Sequence, residues 1–193
     1  MLYRYPIEIE SRIGIIPGNE TCVYIKTGKG GGIYGYEGKY IEISTKIHDS
    51  YGYTVCVSAN PMGDTCIMSE KITELKNMIS GIKEILYVGF SNGAMVGAQQ
   101  AWEIDIIKRM LLINGPLMFN WHKTKEGLEK FKGEAAVVVY GEHDPSYKYF
   151  ELLNLVDSNI MKKYSVTGAD HNFTGMLEEF KELILFFCKG GMD

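Results

Sequence analysis

The chain has 193 residues, 46% hydrophobic and 23% charged, with a formal net charge of −4. That length and apolar fraction suit one domain with a sizeable core. The acidic balance and scattered Lys and Arg offer no electrostatic basis for binding nucleic acid or an anionic membrane, and no apolar run nears the ~20 residues of a membrane span.

Met1 to Glu8 carries charges and a proline where a signal peptide needs an apolar core, so a cytoplasmic protein is expected. The cysteines Cys22, Cys56, Cys66 and Cys188 show neither C-x-x-C spacing nor His companions at zinc-site distances. Cys22 and Cys56 lie in apolar runs and read as buried, reduced thiols. No metal or organic cofactor is implied.

In chain order, strand-like runs alternate with helical ones, which predicts an α/β fold with a largely parallel sheet. Tyr3 to Glu10 and Arg12 to Ile16 form an expected antiparallel start. Thr21 to Lys26 reads as a buried strand ending in a glycine-rich loop, and the helix after it aligns Tyr40, Ile43 and Ile47. Tyr53 to Val57 is the next strand, closed by Asn60-Pro61. Ser69 is placed as the N-cap of a helix that buries Ile72, Leu75 and Ile79. The strand Ile85 to Val88 follows, then a helix from Ala94 to Gln100 and a strand at Arg109 to Ile113. A polar helix around Thr124 to Phe131, a strand at Ala135 to Tyr140, a helix near Tyr147 to Val156 and a strand at Met161 to Val166 come next. The last helix stacks Met176, Phe180, Leu183, Ile184 and Phe187 on one core-facing stripe.

Between the strand at Ile85 to Val88 and its following helix stands Gly89-Phe90-Ser91-Asn92-Gly93. A strand running into Gly-x-Ser-x-Gly and then a helix is a nucleophile elbow: the turn strains the serine backbone, and the glycines leave room where side chains would clash. A serine hydroxyl at its free pKa is a poor nucleophile and needs a base, itself oriented by a carboxylate. Both are supplied behind later strands. Asp144 lies in Gly141-Glu142-His143-Asp144, and His171 lies in Ala169-Asp170-His171-Asn172-Phe173.

With these three motifs in the order serine, acid, histidine, the chain resembles the α/β-hydrolase superfamily from about residue 20 to the last helix. The resemblance implies a mostly parallel central sheet with helices on both faces. It implies Ser91 as nucleophile, His171 as general acid–base and Asp144 as its orienting partner. The stretches between predicted strands are the size of ordinary crossovers, leaving no room for a cap domain. The expected activity is serine-dependent hydrolysis of a small carboxylic ester or thioester through an acyl-enzyme. The alternative is a non-catalytic fold of this family that binds a ligand or protein.

An oxyanion hole needs two backbone N–H groups. Asn92 should supply one; the other is expected from Lys29, Gly30 or Gly31, where many family members carry His-Gly and this chain carries Thr27-Gly28-Lys29-Gly30-Gly31-Gly32. The same loop satisfies the dinucleotide fingerprint Gly-x-Gly-x-x-Gly over Gly30 to Gly35. The following strand, however, ends in Ser58-Ala59-Asn60 without the acid that would hold a ribose. A P-loop is excluded because Ile33 stands at its first glycine and Tyr40 at its Ser/Thr. Tyr34, with Tyr36 and Tyr40, is either a substrate wall or cover for the loop, and Trp121 and His122 are placed at the pocket or on the nearby surface. His143 and His48 read as solvent-facing, Lys29 as a solvated loop lysine, and Asp170 as poorly aimed at its neighbour's ring.

Overall fold

The computed structural model describes residues 7–9 and 12–192, so most of the first predicted strand, Tyr3 to Glu10, lies outside the described residues. Among the described residues, eight strands form one sheet: β1 (Ile7–Ile9), β2 (Ile13–Ile16), β3 (Thr21–Lys26), β4 (Thr54–Ser58), β5 (Glu84–Phe90), β6 (Ile107–Ile113), β7 (Ala135–Gly141) and β8 (Met161–Val166). Their spatial order is β1-β2-β4-β3-β5-β6-β7-β8. β1 and β2 pair antiparallel, as does β2 with β4, and the remaining pairs are parallel.

The central strands are apolar on both sides because both sides are covered. Residues 135–141 of β7 are all buried, as are six of the seven in β5. Helices α1 (Lys39–Tyr51) and α5 (Leu177–Cys188) cover one face, sharing a core of Ile43, Ile47, Phe180, Ile184 and Phe187 with Val88 and Val139. Helices α2 (Met68–Met78), α3 (Asn92–Gln100) and α4 (Trp121–Lys130) cover the other through Ile72, Leu75, Val96, Ala98 and Leu128. Residues 114–120 alone join β6 to α4, so no cap domain is inserted there.

Two local expectations, at Ser69 and His48, need correction. Ser69 is not an N-cap: α2 begins at Met68, whose N–H is capped from a distance by the Gln100 side chain at 2.9 Å. The helix expected near Tyr147 to Val156 is present as a 3-10 helix over Tyr147–Leu155, with Leu153 its one buried residue. His48 is half-buried rather than solvent-facing, its Nδ1 lying 3.0 Å from the Tyr53 carbonyl. Cys22, Cys56, Cys66 and Cys188 are all buried and unbridged, and burial pushes the Cys22 thiol up to about 12.

Phe180 is the packing hub beneath the carboxyl ends of the strands. Its ring meets those of Tyr40, Phe90 and Phe173 edge-on at centroid distances of 6.4, 6.1 and 5.3 Å. We expect Phe180→Ala to lower the unfolding free energy by about 3–5 kcal/mol and Phe180→Leu by less than half as much. Denaturant unfolding measures both; equal stability of all three proteins would contradict this packing role.

Candidate active site

The turn after β5 places Ser91 at φ 54°, ψ −119°, a left-handed conformation that side chains rarely adopt. Its N–H donates to the Ile113 carbonyl at 2.8 Å, and its carbonyl accepts from Ala94 and Met95 at the start of α3. The two motif glycines are steric necessities. A Cβ on Gly89 would lie 2.6 Å from the Gly93 carbonyl oxygen, and one on Gly93 would lie 2.2 Å from that of Lys26. Gly28 passes so close that its Cβ would sit 3.0 Å from that of Ser91.

Asp144 is buried in the loop after β7. One carboxylate oxygen accepts the Ser146 N–H at 2.6 Å, and the other bonds the His171 Nδ1. A carboxylate can only accept, so Nδ1 carries the hydrogen and Nε2 is left as the base. The His171 ring packs 5.3 Å from that of Phe90 and is 40% exposed, whereas the Asp144 side chain is fully covered. Asp170 does not compete for the ring. Its Oδ1 accepts the N–H groups of Asn172 and Thr174 at 3.0 and 2.9 Å, and the Thr174 bond leads in holding its carboxyl below the usual range.

Ser91 and His171 open onto one cavity of about 240 Å³, whose walls include Gly28, Lys29, Tyr36, Lys39, Tyr40 and Phe90. Larger hollows of about 550 and 580 Å³ lie over α2 and beside α5, and contain neither Ser91 nor His171. The oxyanion expectation narrows. The Gly30 N–H donates to the Asn60 carbonyl at 2.7 Å and the Gly31 N–H to the Gly28 carbonyl at 2.8 Å, so neither is available. Among the described residues the N–H groups of Lys29 and Asn92 have no acceptor, and Asn92 stands at the positive end of α3. The glycine loop is not a dinucleotide cradle either, because the Gly30 and Gly31 N–H groups are already bonded and α1 starts only at Lys39.

Of the expected substrate-contacting residues, Tyr34, Trp121 and His122 do not line this cavity. The chain turns at Gly35 (φ 73°), leaving Tyr34 51% exposed and presenting Tyr36 and Tyr40 instead. Trp121 is partly buried against the core on the α2–α4 side of the sheet, and His122 faces solvent in the first turn of α4. His143 and Lys29 are exposed as expected.

Three residues near the site were not singled out from sequence. Asn114, fully buried after β6, accepts the Gly141 N–H at 2.8 Å and donates to the carbonyls of Asp170 and His171 at 3.1 and 3.0 Å. It thereby ties the acid loop to the histidine loop. Asn60 does similar work on the glycine loop. Lys39 is buried with its ammonium 3.8 Å from the centre of the Phe90 ring and 3.4 Å from the Asn172 carbonyl. A polar residue just beyond the carboxyl end of a parallel strand is the available signal for the two asparagines.

No family model and no curated protein sequence matches the chain. Solved structures do. Est1E from Butyrivibrio proteoclasticus superposes with a TM-score of 0.74 at 13% identity, over 95% of this chain and 96% of that one. A serine hydrolase homologue from Coxiella burnetii gives 0.68 at 17%, over 96% and 97% of the two chains. An esterase from Pyrococcus furiosus gives 0.69 at 16%, over 99% and 94%. The chain has the α/β-hydrolase fold. Ser91, Asp144 and His171 occupy the loops after β5, β7 and β8, at the carboxyl edge of the sheet.

Burial lowers the Lys39 ammonium from 10.5 to about 8, against the opposing pull of the Asp170 carboxylate. Between those two values the unfolded chain holds a proton that the folded chain has shed, so stability rises with pH across the window. Relative to Lys39→Met, the wild-type protein should gain about 3 kcal/mol of unfolding free energy from pH 8 to 10.5. Parallel denaturant titrations test this, and a pH-independent difference would contradict it.

Proposed function

We propose that the chain is a serine hydrolase of small carboxylic esters or thioesters, working through an acyl-enzyme. The observation that carries this reading is that His171, bonded to the buried Asp144, opens onto the same cavity as a serine held at φ 54°. In this reading the Ser91 hydroxyl attacks the substrate carbonyl while His171 Nε2 takes its proton. The buried Asp144 carboxylate holds the ring in the Nδ1–H tautomer and stabilises the imidazolium that forms. Negative charge gathers on the carbonyl oxygen, and in this reading it is received by the N–H groups of Asn92 and Lys29, which have no acceptor among the described residues. His171 returns the proton to the leaving group, and water then repeats the sequence on the acyl-serine.

The cavity of about 240 Å³ supports a short acyl group, since pockets for drug-sized ligands span roughly 300–1,000 Å³. No helix among the described residues is long and apolar enough to cross a membrane. A fluorophosphonate probe should label the wild-type protein and not Ser91→Ala, and His171→Ala should lower turnover at least about 10³-fold. Acetyl and butyryl esters should exceed octanoyl esters in kcat/KM by about tenfold or more. A folded wild-type protein that is neither labelled nor active on esters would overturn the proposal in favour of a binding module.

A further inference from the structure

Asn60 stands two residues beyond the end of β4 and is 2% exposed. Its backbone pins the glycine loop: its carbonyl accepts the Gly30 N–H at 2.7 Å, and its N–H donates to the Gly31 carbonyl at 2.9 Å. Its side chain does something else. The amide nitrogen donates to the Thr27 carbonyl at 3.2 Å and to the Asn92 side-chain oxygen at 2.8 Å. The Thr27 carbonyl can only accept, so the group facing it must be the amide nitrogen, and the orientation is fixed by chemistry.

Each partner of this amide sits beside an unpaired backbone donor. Thr27 precedes the Lys29 N–H by two residues, and Asn92 itself carries the other N–H. The two donors come from different elements, the loop after β3 and the first residue of α3. Among the described residues, the Asn60 side chain is the hydrogen-bonded bridge between the Thr27 carbonyl and the Asn92 side chain. An oxyanion is held only when both donors fall about 2.7–3.1 Å from it, so the spacing of these elements sets how much charge is stabilised.

We propose that Asn60 is a positioning residue that fixes the separation of the Lys29 and Asn92 donors and thereby tunes stabilisation of the tetrahedral intermediate. The inference rests on the serine-hydrolase reading above. Asn60→Ala keeps both backbone bonds to the glycine loop and removes only the bridge. Its signature is selective: the transition state loses contact while the ground state keeps its own.

The experiment compares kcat, KM and the affinity of a small alkylboronic acid, which forms a tetrahedral adduct on an active serine, across wild type, Asn60→Ala, Asn92→Ala and the double variant. For Asn60→Ala we expect kcat to fall about 10–100-fold, short of the 10²–10³ of losing a donor outright, with KM within about threefold. Boronate affinity should fall in proportion to kcat/KM. Asn92→Ala, which removes the same bridge from its other end, should shift both in the same direction even if Asn60→Ala fails to fold. The double variant, where it folds, should be no worse than the more impaired single variant by more than about threefold, because one bridge is removed only once. An active wild type whose two single variants retain kcat and boronate affinity would overturn this inference alone. Fully additive losses in the double variant would also overturn it. A wild type inert to both ester and boronate would overturn the hydrolase reading and this inference with it.

Discussion

Holding a non-glycine residue at φ 54°, ψ −119° costs on the order of 1–3 kcal/mol, and Ser91 keeps that conformation only because its surroundings leave it no other. The Gly89 and Gly93 backbones are in contact across the turn, and Gly93 is pressed against the last residue of β3. The Tyr87 hydroxyl, buried in β5, donates to the Gly93 carbonyl at 2.7 Å and clamps the turn from below. The Ile113 carbonyl at the end of β6 takes the Ser91 N–H. Three parallel strands and the first turn of α3 therefore converge on one residue, and its hydroxyl stands clear of the sheet as a consequence.

The rest of the site is arranged around that fixed point by loops that would otherwise be free to drift. Each is tied to its neighbour by a buried asparagine just past a strand end. Asn60 joins the glycine loop to the elbow, and Asn114 joins the Asp144 loop to the His171 loop. Below them lies an aromatic layer in which Phe90, the residue before the nucleophile, touches His171, Tyr40 and Phe180. Lys39 is set into this layer, its ammonium shared between ring faces and one carbonyl. The serine and histidine are thus positioned by elements packed on both sides of the sheet.

What could be read from the sequence was what chain-local patterns encode. Strand-like runs marked β3 to β8, and each of Ser91, Asp144 and His171 follows its strand within a few residues. The elbow was legible because its steric demands fall on five consecutive positions. The asparagine ties were not, since their partners lie 32 and 57 residues away in the chain. Polar residues at strand ends are common, and only the folded path says which loops they join. Whether Tyr34 was wall or cover was left open for a related reason: the turn at the left-handed Gly35, after which Tyr36 and Tyr40 rather than Tyr34 line the cavity, is visible only in the folded chain. The choice of Lys29 over Gly30 and Gly31 as donor likewise depends on bonds made to Asn60 and within the loop.

The central claim is that Ser91 is the atom-donating nucleophile and that the surrounding ties exist to present it. The most direct measurement is rapid acid quenching of the protein with an activated acetyl ester, followed by peptide mass spectrometry to locate the acetyl group. The account predicts one acetyl group on the hydroxyl of Ser91, formed before steady-state turnover and absent in Ser91→Ala. Ester turnover that persists in Ser91→Ala, or acetylation found first on Lys29 or Lys39, would contradict it.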